Sequence, residues 1–154
     1  MKISRQSIVF QLKTLWPDLV DGHRKPSNIH IPRSEYWMPT KKQLETFIER
    51  DWQNYLDAFD YDIKRFACTN FSALFRSLID LHVIALVESH RIKYDDMLEW
   101  AVMTAWGSKF NGKVTSHSIN LIAMTDGLWF FEPQQSKELW RADAERDQIH
   151  MVIL

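Results

Sequence analysis

The chain reads as an α+β domain in which helices pack on a small antiparallel sheet. Three observations point there. In the first half, two long stretches repeat their apolar residues at helical spacing. In the second half the period shortens to alternating apolar and polar positions. Two tight-turn dipeptides, Asn111-Gly112 and Asp126-Gly127, punctuate that alternation. Helices first and strands second is the order of an α+β domain, not of repeated βαβ units.

The elements follow in order. Ile8, Leu12 and Leu15, with Val9 and Phe10 beside them, predict a helix over Ile3–Trp16, stopped by Pro17. Asp18–Pro39, punctuated by Gly22, Pro26, Pro32 and Pro39, reads as a loop that wraps the surface or borders a site. Thr40 followed by Gln43 fits a capping box and opens a helix over Thr40–Ala58, with Leu44, Phe47, Ile48, Trp52, Tyr55 and Leu56 on one face. Tyr61–Phe66 is a connector. Cys68 opens a second long helix, Thr69–Glu88, with Phe71, Leu74, Phe75, Leu78, Ile79 and Leu81–Val83 largely apolar. Strands are then expected at Trp100–Trp106, Val114–Thr125, Leu128–Glu132 and Gln148–Leu154. Leu139–Asp147 fits either a helical turn or a loop.

A length of 154 residues suits a single domain, with residues 1–60 as an N-terminal helical part and loop and 61–154 as a helix plus antiparallel sheet. The chain is 45% apolar and 25% charged, a globular balance, and its seven Trp and nine Phe imply an aromatic-rich core or groove. Lys and Arg number 19 and Asp and Glu 20, which provides no bulk electrostatic drive toward nucleic acid or an anionic membrane. The N-terminal third is locally basic, with Arg5, Lys13, Arg24, Lys25, Arg33, Lys41 and Lys42 interleaved with Trp16, Tyr36 and Trp37. Near-zero net charge makes this a solvated face rather than a nucleic-acid surface. The longest apolar run, Val83–Val87, is too short to span a bilayer, and no signal peptide is evident, so no membrane partner is expected. A lone cysteine, Cys68, forms no intrachain disulfide and suits a reducing compartment such as the cytoplasm. The six His lack metal-ligand spacing, so neither a metal nor another cofactor is expected.

Cys68 stands where chemistry is favoured. The unpaired N–H groups and the macrodipole at a helix N-terminus stabilise a thiolate, and nearby backbone N–H groups can hold an oxyanion. His117, at the start of a later strand, is placed to share the thiol proton. Glu132, at the end of the partner strand, is a candidate to orient the imidazole. Taken singly, each has a plainer role: a buried thiol, a rim histidine, a charge that ends a strand before Pro133. If Asp126 and Gly127 are the central turn residues, Thr125 pairs with Leu128 and Leu121 faces Glu132. His117 then lies four residues further along, roughly 13 Å away at strand rise, so direct contact requires another register, a bulge or a longer loop.

Two segments resemble a known family. "RFACTNFSALF" resembles Cys-x-Asp/Asn-Phe-Ser/Ala at the head of a helix, and "SHSINLIAMTDGLWFFEPQ" resembles a His-led strand, a turn and an apolar strand ending in Glu/Asp-Pro-Gln. Both patterns are similar to those of the papain-like cysteine protease domain of the Marasmius oreades agglutinin and related lectin-like and phage proteins. The resemblance covers Tyr61–Gln135. It implies a papain/transglutaminase-like core with Cys68 as nucleophile, His117 as general base and Glu132 as orienting acid. It also assigns supporting positions to Asn120, Gln134 and Asn70. Ser118-Ile119 departs from the small-then-aromatic pair of the family, and Thr69 replaces an acidic residue, so the agglutinin's calcium dependence is not carried over. The expected function is a thiol hydrolase or acyl transferase acting on an amide or thioester of a peptide or protein substrate. The alternative is a catalytically inactive papain-like module, of the phage-encoded kind, that binds a protein partner through its aromatic residues.

Overall fold

The computed structural model describes residues 1–19, 28–58, 68–91, 93, 98–134 and 138–154. Its helices are α1 (Arg5–Leu15), α2 (Lys41–Phe47), α3 (Gln53–Ala58) and α4 (Cys68–Glu88), and a single π-helical segment, Ile48–Trp52, joins α2 to α3. Its strands are β1 (Lys2–Ser4), β2 (Ile29–His30), β3 (Glu35–Trp37), β4 (Val102–Phe110), β5 (Lys113–Met124), β6 (Gly127–Phe131), β7 (Leu139–Arg141) and β8 (Gln148–Ile153). The main sheet runs β2-β8-β4-β5-β6-β7, and β1 pairs with β3 in a separate two-stranded ribbon. The α+β class expected from the sequence is therefore the one observed.

Alternation along the sheet builds two cores. Met103, Ala105, Ile119, Leu121, Ala123 and Phe130 face α1, whose Ile8, Val9 and Leu12 are buried. Val102, Ile122, Met124 and Phe131 face the other way, onto Leu44 and Phe47 of α2, Trp52, and Phe71, Phe75, Ile79 and Val83 of α4. Phe75 holds this second layer together. Its ring lies 4.6 Å from Phe131, 5.2 Å from Trp52 and 5.6 Å from Phe47, and each such aromatic pair adds about 1 kcal/mol beyond area burial. The cluster fixes α4 against the sheet, and with it the position of Cys68.

Local signals explain where the helices begin. Thr40 and Gln43 form the expected capping box, Thr40 Oγ1 accepting from the Gln43 N–H and Gln43 Oε1 from the Thr40 N–H. The helical stretch that follows is α2, the π-helical segment and α3, not one continuous α-helix. The N-terminal helix starts at Arg5, not Ile3. Ser4 caps it by accepting from the Ser7 N–H, and Lys2–Ser4 pair instead with β3. By length and composition α4 is long and apolar enough to cross a bilayer, a property the run Val83–Val87 did not signal. In this fold its Phe71, Phe75, Ile79 and Val83 pack on the sheet.

Other expectations need correction. The sheet is not purely antiparallel: β2 runs parallel to β8, with Ile29 opposite Val152 and His30 opposite Ile153. The loop Asp18–Pro39 therefore contributes β2 and β3, although its residues 20–27 lie outside the described set. The connector Tyr61–Phe66 also lies outside the described residues. Strand β4 begins at Val102 rather than Trp100, which makes an isolated bridge to Trp37. The ambiguous stretch from Leu139 supplies the short edge strand β7.

The largest correction concerns the β5–β6 hairpin. Met124 pairs with Gly127, so the two loop residues are Thr125 and Asp126 rather than Asp126 and Gly127. Asp126 is anchored from two sides: its Oδ1 accepts from the Trp129 indole N–H at 3.0 Å and its carbonyl from Arg141 at 3.0 Å. Gly127, at φ 131°, takes a backbone conformation closed to most side chains and enters the ladder as its first pair. Asn120 now faces Phe131, which puts Glu132 beside Ile119 and only two residues from His117 along β5. Diagonal neighbours at that spacing are within reach of long side chains.

Candidate active site

The corrected register brings His117 and Glu132 into contact. His117 Nε2 lies 2.5 Å from Glu132 Oε2, and the two side chains keep 19% and 12% of their surface exposed. Glu132 Oε1 accepts from the backbone N–H of Gln134 at 2.9 Å, so the local Glu-Pro-Gln bend fixes the carboxylate that fixes the ring. With Nε2 engaged by Glu132, Nδ1 is the imidazole nitrogen left for Cys68.

Cys68 is the first described residue of α4 and is half-buried. Ser118 and His117 are the neighbours that bear on its ionisation. Burial pushes the thiol pKa up. Hydrogen bonding available to the ionised thiol from Ser118, together with the neighbouring His117, outweighs that burial and leaves it below its ordinary value. The His117 pKa is raised, first by its hydrogen bond to Glu132, against an opposing desolvation, with the Glu132 and Cys68 charges adding to the rise. A lowered thiol beside a raised imidazole favours the thiolate–imidazolium pair, the reactive form of a catalytic cysteine.

A short polar seam aligns the two elements. Ser72, one helical turn after Cys68, donates from Oγ to the Ser118 carbonyl at 3.3 Å. Asn120 Nδ2 donates to the Ser72 carbonyl at 3.1 Å and to the Met103 carbonyl at 3.4 Å. All three bonds are buried, where a hydrogen bond gains in strength and a broken one costs more. The two at Ser72 set α4, which carries Cys68, against β5, which carries His117. Gly107, opposite His117 on β4, permits the close strand approach here: a Cβ would stand 2.3 Å from the Gln148 carbonyl oxygen.

The supporting residues expected from the sequence separate into three cases. Asn120 is fully buried and acts on the helix–sheet seam, not in a groove. Gln134 supports Glu132 through its backbone N–H. Asn70 stands exposed on the first turn of α4 and takes no part in the contacts that hold His117 and Glu132. Ser72 and Ser118 were not singled out from the sequence. The signal was present in part: alternation from His117 along β5 sends Ser118 to the α4 side together with Asn120. Ser118 Oγ is buried without a hydrogen-bond partner in the resting geometry. A thiolate accepts far more strongly than a thiol, so this hydroxyl favours the ionised Cys68.

Among the described residues no group of three or more His, Cys, Asp and Glu side chains is arranged to hold a metal ion. Several basic residues of the N-terminal third serve local contacts. Arg33 pairs with Glu99 at 2.6 Å, Lys41 lies over the Trp129 ring, and Arg5 Nε donates to the Ile31 carbonyl. Arg24 and Lys25 lie outside the described residues. No protein-family model matches the chain, and a search of curated proteins finds no match.

Proposed function

We propose that the protein is a papain-like thiol hydrolase or acyl transferase acting on an amide or thioester of a peptide or protein. What supports this reading is the His117 imidazole, bonded through Nε2 to Glu132 and close enough to the Cys68 thiol on α4 for each to bear on the other's ionisation. A nucleophile at a helix N-terminus, a base beside it and an acid orienting the base is the arrangement that acyl transfer requires. The resemblance of the Cys68 and His117 segments to papain-like domains supports the same roles.

The cycle follows from the groups in place. The Cys68 thiolate attacks the carbonyl carbon, and the developing oxyanion lies near the first turn of α4, whose N–H groups carry partial positive charge. The tetrahedral species collapses with cleavage of the bond to the leaving group, which takes its proton from His117 Nδ1. Water, or a second amine, then attacks the thioester with His117 as base and frees the thiolate. Glu132 keeps Nδ1 aimed at the sulfur and stabilises the imidazolium throughout.

The test is a panel of small amide, ester and thioester substrates incubated with wild-type protein and Cys68→Ala, with intact-mass detection of an acyl adduct. An adduct on the wild type alone, mapped to Cys68 and turned over by water or amine, is expected. Equal behaviour of the two proteins across the panel contradicts the proposal and returns the fold to the role of a binding module.

A further inference from the structure

The site has an asymmetry that the catalytic residues alone do not use. A cleft of about 400 Å³ opens beside His117 and Glu132, walled by Phe110, Val114 and Trp140, with Lys113 and Glu138 at its edge; Cys68 does not line it. An acyl substitution at Cys68 has two sides. The acyl half stays on sulfur, while the leaving half must lie against the imidazole that protonates it. A cleft bordered by the base and its acid, and not by the nucleophile, is therefore on the leaving side.

The wall chemistry defines what fits there. Phe110 stands edge-on to His117 at 6.4 Å and to Phe130 at 5.4 Å. Trp140 packs on Phe130 at 5.5 Å, and its indole N–H is tied to Asp147 Oδ1 at 3.2 Å. The aromatic wall is thus preformed. Val114 leaves 87% of its surface in water at the rim, and a partner that covers it gains the apolar area it removes. Lys113 and Glu138 bring opposite charges to the same edge, which favours neither an acidic nor a basic guest. The volume lies in the range of small-ligand pockets.

We propose that this cleft binds the leaving-group half of the substrate, and equally the acyl acceptor, as an amine carrying an apolar side chain. The assignment rests on Cys68 acting as the nucleophile. In cleavage, the Cys68 sulfur–carbonyl bond forms, the carbon–nitrogen bond breaks, and the nitrogen departs with the electron pair and a proton from His117. In the reverse sense, an amine in the cleft attacks the thioester, the carbon–sulfur bond breaks, sulfur leaves as thiolate and His117 takes the amine proton.

The experiment acetylates Cys68 with S-methyl thioacetate, whose leaving group is too small to need the cleft. The acyl-enzyme is then chased with glycinamide, aspartic acid amide, leucinamide or phenylalaninamide. Leucinamide and phenylalaninamide are expected to half-saturate aminolysis at concentrations about tenfold below glycinamide, the range one apolar group in a pocket confers. Val114→Asp is expected to erase that preference, and Val114→Leu to keep it. An adduct that turns over equally with all four amines, or a preference untouched by Val114→Asp, overturns the assignment of the cleft alone. Failure to form any adduct on Cys68 overturns the thiol-catalyst reading, and the cleft assignment with it.

Discussion

Two carboxylates of this domain sit close to the same hairpins and do opposite things. Asp147 is fully buried. Its Oδ1 accepts from the Asn111 N–H at 2.7 Å and the Trp140 indole, its Oδ2 accepts from the Asp143 N–H at 2.9 Å, and its carbonyl takes the Trp16 indole at 2.8 Å. Every partner is a neutral N–H of the frame. Glu132 is nearly as enclosed, but it divides its oxygens between one backbone N–H and one titratable imidazole, and it borders an open cleft. Burial alone does not separate the two. The difference lies in the partner: a carboxylate bonded to fixed donors holds structure, and one bonded to a group that gains and loses a proton can direct chemistry.

This contrast is open to attack by substitution. Cys68→Ala is expected to abolish turnover and thiol labelling completely while leaving the unfolding midpoint within about 1 kcal/mol of wild type, since a half-buried thiol contributes little packing. Glu132→Gln is expected to lower kcat/KM on the order of 10²-fold, with a stability change under about 1.5 kcal/mol, because Gln retains an oxygen for the Gln134 N–H. Asp147→Ala should reverse that pattern. It strands partly buried donors and costs about 3 kcal/mol in urea unfolding, while the folded fraction still labels at Cys68 with the wild-type pH dependence. If both acidic variants lost stability equally and kept catalysis equally, the distinction would collapse. The smallest effect belongs to Ser118→Ala. Removing the hydroxyl raises the thiol pKa, so alkylation at neutral pH should slow about three- to tenfold, with the limiting rate at high pH preserved.

What could be read from the residues was mostly local. The capping box of Thr40 and Gln43, the head of α4 at Cys68, and the arms of β5 and β6 each depend on neighbours a few positions away. The register of that hairpin did not follow from its dipeptide, because the turn is pinned by Arg141, an edge-strand residue fifteen positions from Asp126. The two-residue turn was correct in length and displaced by one position, and that displacement decides whether Glu132 reaches His117. The Ser72–Ser118 bond and the parallel pairing of Ile29 with Val152 join segments far apart in sequence, where no spacing rule applies. Cys68, His117 and Glu132 were legible as residue types, and they fall on α4, on β5 and just past the end of β6. The seam that aligns them, and the cleft beside them, arise only when the two cores have packed.

The proposed chemistry depends on an ion pair between Cys68 and His117, oriented by Glu132. The most direct measurement is the rate of iodoacetamide alkylation of Cys68 against pH, followed by intact mass, for wild type and His117→Ala. The thiolate is the reacting form, so the rate rises as the thiol loses its proton. With the Cys68 pKa lowered by Ser118 and His117 against its burial, the wild-type profile is predicted to rise at a pH below that of a free thiol and to exceed the free-thiol rate at neutral pH. Removing His117 is predicted to move the rise to higher pH. A wild-type profile no faster than a free thiol at neutral pH, and unchanged in His117→Ala, would contradict the claim.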